Sequence, residues 1–288
     1  MTFRPDADLD HGQVSDVRGR RMGGGGLAVG GGGLGIIVVI AYLLLGGDPG
    51  ALVANDPGGA AQEPNSSVLE QCKTGADANA RADCRIVGFV NSIQAYWTAE
   101  YKTKGGTYQP AQTFLFTQGV NTGCGGATSA VGPFYCPPDM AIYIDLGFFE
   151  DLQTRFGAEG GPLAEAYVVA HEYGHHIQNL EGVLKAGGGG SGAESQAVRT
   201  ELQADCYAGV WVHNAASTNY LKPPTEAEIG QALSAAAAVG DDRIQEQTQG
   251  QVNPEAWTHG SAEQRQRWFT VGYDTGKPEN CDTFSGDI

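Results

Sequence analysis

Positive charge is scarce in this sequence: 17 lysines and arginines stand against 33 aspartates and glutamates, a formal net charge of -16 at pH 7. That balance argues against a nucleic-acid binder, because a phosphate backbone needs a basic face to neutralise it. The acidity reads instead as a solubility feature. A Cys-x-x-Cys pair is also absent, so the six cysteines do not suggest a cysteine zinc knuckle. No segment recurs at a fixed period, which leaves no repeat architecture to consider.

Glycine, by contrast, is over-used, with runs at 23–26, 30–33 and 187–190 that cannot pack as regular elements and read as linkers or hinges. Charge disappears altogether from Met22 to Gly47, and Leu34 to Leu45 (LGIIVVIAYLLL) is apolar apart from one glycine and a tyrosine. About 20 such residues at 1.5 Å each cross a hydrocarbon core, so the segment predicts one spanning helix over 27–47. Arg18, Arg20 and Arg21 precede it while Asp48 and Asp56 follow, which puts the N-terminus in the cytoplasm and the rest of the chain outside. A cleaved signal peptide, with small residues at Ala51 to Ala54 for processing, is the competing reading. Either way the remainder is exported, and export favours disulfides. Cys72 and Cys84 lie close in sequence, as do Cys124 and Cys136, leaving Cys206 and Cys281; this local pairing is one of about 15 connectivities open to six cysteines.

Residues 50–67 are rich in Gly, Ala, Pro and Asn and read as a tether, so folding is expected to begin near Ser67. Between Arg85 and Lys102 the apolar residues Ile86, Phe89, Val90, Ile93, Tyr96 and Trp97 recur at helical spacing, which predicts a core helix. Thr113 to Thr117 and Ala141 to Leu146 are short, aromatic and β-branched, and predict strands. Gly161 to Leu180 predicts a helix with Pro162 in its first turn. Further helices are expected from Ala193 or Glu194 to His213, from a Thr225–Glu228 capping box to about Ile244, and from a Ser261–Gln264 box onward.

The stretch HEYGH places His171 and His175 four residues apart, one turn of helix, so both ring nitrogens can face one ion. Zinc held this way keeps an open position for water, and the adjacent Glu172 is placed to take that water's proton. A histidine that could complete the ligand set shortly after the motif is missing; Gln178 to Gly182 stand there. ELQAD offers Glu201 as third ligand, with Asp205 one turn on to hold a histidine's far N–H, although the two acids could exchange roles. His176 points off the motif's face and is read as solvated or capping, and His213 as a helix-end residue.

Taken together, HEYGHHIQNLEG, ELQADCYAGVW, THGSAEQRQRWF and the CGG…GPFYCPPDMAIYIDL stretch resemble a bacterial membrane-anchored family of neutral zinc metallopeptidases. The resemblance covers most of the chain. The order of strand, HExxH helix and ExxxD helix is similar to gluzincins, including HtpX-like membrane peptidases and thermolysin. It implies an α+β fold of zincin or gluzincin type, mainly helical with a small β-sheet and preceded by one transmembrane helix. It further implies Zn2+ on His171, His175 and Glu201, Asp205 behind them, Glu172 as base and His259 as a second catalytic group that stabilises an oxyanion. Arg265 matches a late arginine of the HtpX-like enzymes and is read as structural. By gluzincin analogy the strand at Ala141 to Leu146 is the edge that binds an extended substrate.

The chain is thereby expected to divide into a cytoplasmic tail over 1–26, an anchor over 27–47, a tether over 48–66 and an extracytoplasmic metallopeptidase domain over 67–288. Its partners would be a peptide or protein substrate and the bacterial cell membrane. Two other functions use the same residues: a zinc-stabilised pseudo-enzyme acting as a tethered binding or assembly module, and a zinc amidase acting on the cell wall.

Overall fold

Two helices whose sequences leave almost no polar stripe form the centre of the computed structural model, which describes residues 1–19, 68–186 and 189–288. In chain order the elements are β1 (Val14–Asp16), α1 (Gly75–Ala80), α2 (Ala82–Thr103), β2 (Gln112–Phe116), β3 (Gly119–Thr122), β4 (Gly125–Thr128), β5 (Phe134–Cys136) and β6 (Ala141–Asp145). They continue with α3 (Phe148–Thr154), α4 (Pro162–Leu180), α5 (Val183–Ala186), α6 (Gln196–Asn214), α7 (Glu226–Ala238), α8 (Asp241–Gln249) and α9 (Ala262–Thr275). The class is α+β, as the sequence predicts.

Helices α4 and α6 are buried along nearly their whole lengths, which is why apolar residues occupy every face of each. They meet at Gly174, where a Cβ would stand 2.9 Å from the Cα of Ala204. The last helix, α9, packs on α6 just as closely: a Cβ on Gly272 would fall 1.9 Å from the carbonyl oxygen of Cys206. Such spacing lets backbones approach until side chains from three helices converge on one point. A sheet of order β1-β2-β6-β5 covers the other side of α4, with β1, β2 and β6 parallel and β5 antiparallel.

Both capping boxes form as expected, Thr225 with Glu228 and Ser261 with Gln264. The helix predicted to run from Thr225 to about Ile244 instead ends at Ala238 and resumes as α8. Gly240 sits in the break because the chain there abuts α9: its Cβ would be 2.4 Å from the amide nitrogen of Ala262. The cysteines pair as Cys72–Cys84, Cys124–Cys136 and Cys206–Cys281.

Two expectations are corrected. Strand β6 is not an edge: β2 occupies one side and β5 the other, so the free edge near α4 belongs to β5. Its Tyr143 is buried and stacked between Phe114 and Phe134.

The membrane anchor is the second. Among the described residues no helix is long and apolar enough to cross a membrane. The expected span over 27–47, the tether over 48–66, the glycine runs at 23–26 and 30–33, and residues 187–188 lie outside the described residues. What overturns the single-pass arrangement is the N-terminal segment, expected as part of a tail on the far side of a bilayer. Phe3 is fully buried with its ring 5.1 Å from that of Phe89, and Val14 to Asp16 pair in register with Thr113 to Leu115. One crossing between residues 19 and 68 would put those partners on opposite sides of the membrane, so the predicted cell-membrane topology fails with the anchor.

Candidate metal centre

Helix α4 carries His171, Glu172 and His175, and its 3.6-residue turn brings the two imidazoles together edge to face, with planes 86° apart and Nε2 atoms 3.1 Å apart. Glu201 comes from α6, brought within reach by the Gly174 contact. Its Oε2 lies 3.2 Å from His171 Nε2 and its Oε1 3.5 Å from His175 Nε2. All three offer ligand atoms within 4.8 Å of one another and are buried. Tetrahedral zinc with bonds near 2.0–2.1 Å separates its ligand atoms by about 3.3 Å, so the observed spacing suits that ion.

The donor chemistry fits too. Glu201 Oε2 and Glu172 Oε2 are buried without a hydrogen-bond partner. A buried carboxylate oxygen with no donor is costly, and a dication supplies the missing partner.

Behind His171 lies a dense polar network. Its Nδ1 is 2.8 Å from Asp205 Oδ1, which also accepts from Tyr167 Oη at 2.6 Å. Arg265 of α9 closes the set, donating from Nε to Asp205 Oδ2 at 2.8 Å and from a terminal nitrogen to Oδ1 at 3.0 Å. Burial pushes the Asp205 carboxyl up, but Arg265 and His171 outweigh it and hold it ionised below the usual range.

The two histidines feel opposite balances. Burial disfavours charge on His171, yet Asp205 and Glu201 overcome that and carry it up to about 10. Burial prevails at His175 and brings it down to about 4. Burial also raises Glu172 to about 8, against the opposing pull of the His171 charge and the Tyr135 backbone N–H. A cation in the cluster would draw Glu172 back towards its ionised form.

His259, on the loop before α9, is 2% exposed. Its backbone N–H donates to Asp241 Oδ2 at 2.7 Å, and its Nδ1 stands 3.2 Å from Asp241 Oδ1. Its neighbour Gly260 packs on α6 beside Glu201, where a Cβ would stand 3.1 Å from Val198 and 3.3 Å from Leu202. The structure thus gathers His171, Glu172, His175, Glu201, Asp205 and Arg265 around one point, with His259 beside them. A cavity of about 10 Å³ touches His171 and Glu172 under Pro133, Phe148, Val168 and Val239. That is room for about one water.

Several participants were missed from sequence. Tyr167 lies one turn before His171 on the same face, a spacing that could have found it. Gln178 supports His175 from one turn further along α4, a spacing that could likewise have found it, whereas Gln203 behind Gln178 and Asp241 behind His259 carry no local signal. His176 departs from its solvated reading: it is fully buried, with Nε2 2.7 Å from the Gln109 carbonyl and Nδ1 3.1 Å from Tyr135 Oη.

An uncharacterized protein of Mycobacterium tuberculosis (strain H37Rv) is 54% identical over 252 residues, covering 84% of this chain and 85% of its own. One of Mycobacterium bovis matches to the same extent. The uncharacterized protein YpfJ of Escherichia coli (strain K12) is 42% identical over 198 residues, 67% of this chain and 68% of its own. No solved structure gives a significant match. A family model described as "putative neutral zinc metallopeptidase" matches residues 4–284, and the chain belongs to that family.

Proposed function

We propose that this protein hydrolyses peptide bonds with zinc held by His171, His175 and Glu201. The observation that carries the reading is the convergence of those three ligand atoms beside Glu172, whose outer oxygen has no hydrogen-bond partner. When bound, zinc supplies a Lewis acid and lowers the pKa of a coordinated water to about 7.

The remaining chemistry belongs to the chain. Glu172 takes a proton from the attacking water and passes it to the leaving amine, a shuttle that needs a carboxyl able to change state near neutrality. Burial favours the proton on Glu172 and a neighbouring dication favours its release, so both states lie within reach. His259, fixed by Asp241, donates to the oxygen that becomes negative as the carbonyl is attacked. Asp205 and Gln178 hold the far nitrogens of the two histidines, leaving both Nε2 atoms turned towards Glu201.

The test is zinc content together with cleavage of an unfolded protein substrate. Wild-type protein is expected to carry one zinc, to lose thermal stability on chelation, and to cleave. Glu172→Gln is expected to keep the metal and lose about 10²-fold or more in kcat. Zinc binding with no cleavage of any peptide, and an unaltered biological role for Glu172→Gln, would point to a zinc-stabilised binding module instead. Turnover confined to cell-wall amides would make it an amidase.

A further inference from the structure

The second histidine has its own support, distinct from the acid behind the first. His175 Nδ1 lies 2.8 Å from Gln178 Oε1, and Gln178 Nε2 donates to the Thr200 carbonyl at 2.7 Å and to Gln203 Oε1 at 3.1 Å. Gln203 Nε2 in turn donates to the Cys281 carbonyl at 3.0 Å. Both glutamines are buried, so each polar atom needs its partner here rather than in water.

The direction of this chain follows from its two ends. A backbone carbonyl only accepts, so the Thr200 oxygen must face the Gln178 amide NH2. The Cys281 oxygen fixes Gln203 in the same way. Gln178 Oε1 is therefore the atom turned to His175, and an amide oxygen also only accepts. The ring must place its proton on Nδ1, which leaves the Nε2 lone pair towards His171 and Glu201. The far anchor is covalently secured: Cys281 is joined to Cys206 on α6, three residues beyond Gln203.

We propose that Gln178 is the positioning residue of the ligand His175, and that Gln203 and the disulfide-anchored Cys281 carbonyl hold Gln178 in the orientation that selects the Nδ1-protonated ring. Zinc affinity then depends on a relay running from the metal centre to the C-terminal segment. The proposal rests on the zinc reading above and deepens it. It also makes the two histidines unequal: His171 is backed by an ionised acid and an arginine, His175 by neutral amides alone.

The measurement is zinc affinity by competition with a chromogenic chelator, with the cobalt(II) absorption spectrum as a second readout. Gln178→Met keeps the side chain's length and removes its acceptor; it is expected to weaken zinc about 10–100-fold and to shift the cobalt bands. Gln203→Leu is expected to weaken zinc in the same direction by a smaller factor. Gln178→Glu keeps an acceptor for His175 but sets its second oxygen, without a donor, against the Thr200 carbonyl and Gln203 Oε1, and is expected to recover only part of the affinity that Gln178→Met loses. Wild-type affinity in Gln178→Met, or a Gln178→Glu variant as weak as Gln178→Met, overturns the proposal, the latter by showing a merely structural bridge to α6. Failure of the wild-type protein itself to bind zinc overturns the reading beneath it, and is a separate result.

Discussion

Arg265 and Asp205 meet as a two-point pair with neither side chain exposed, Nε standing 2.8 Å from Oδ2 and a terminal nitrogen 3.0 Å from Oδ1. Removing the guanidinium would strand a buried carboxylate, which costs on the order of 3–5 kcal/mol. Arg265→Met is expected to lose that much in urea unfolding, and Arg265→Lys to recover only part, since an ammonium lacks the fork. A change under about 1 kcal/mol would show that Asp205 is satisfied by His171 and Tyr167 alone.

Glu172 sets a pH dependence on the metal-free protein. Its folded-state value near 8 lies above the ordinary 4.5, so the folded chain binds the proton more tightly than the unfolded one. Its contribution is therefore fully present below pH 4.5 and is lost progressively as pH rises through 8. In the presence of chelator, Glu172→Gln is expected to match wild type at pH 4 and exceed it at pH 8 by on the order of a few kcal/mol. An advantage that does not change with pH would contradict this burial effect.

Gly174 sits between the two histidines for a reason of space rather than chemistry. In Gly174→Ala the new Cβ would meet Ala204 at 2.9 Å from both its Cα and its carbonyl oxygen. The helices must part, at a cost of about 1–3 kcal/mol. Because Glu201 rides on α6, the same variant is expected to bind zinc more weakly. Wild-type Tm and affinity would show that the helices absorb the methyl without moving.

His259 is expected to act on rate rather than on metal. His259→Ala should keep its zinc and lower kcat by about 10²–10³. Loss of zinc with unchanged kcat per bound metal would place His259 in the support of Glu201 instead.

How much of this was readable in the chain depends on how local each signal is. The HEYGH helix, the ELQAD acids and both capping boxes are written within a few residues of themselves, and they stand where their spacing puts them. Strand β1 was not readable, because a three-residue segment acquires its identity from Thr113 to Leu115, about a hundred residues away. The interruption at Gly240 depends on the approach of Ala262, and the burial of His176 on Tyr135 and Gln109. The apolar run over 27–47 gave a strong local signal, yet a single crossing there conflicts with the pairing of residues on either side of it. Local composition carried no information about that pairing.

The guanidinium that neutralises Asp205 enters from the last helix, and the carbonyl that ends the glutamine relay belongs to residue 281 of 288. A chain emerging from the ribosome thus displays both imidazoles, Glu201 and the Gln178 and Asp205 that orient the rings well before it possesses the Arg265 and Cys281 groups that hold those two supports. The cluster therefore matures only once residues 265 and 281 have been made, and a chain clipped before them would carry its ligands without the groups that steady their supports.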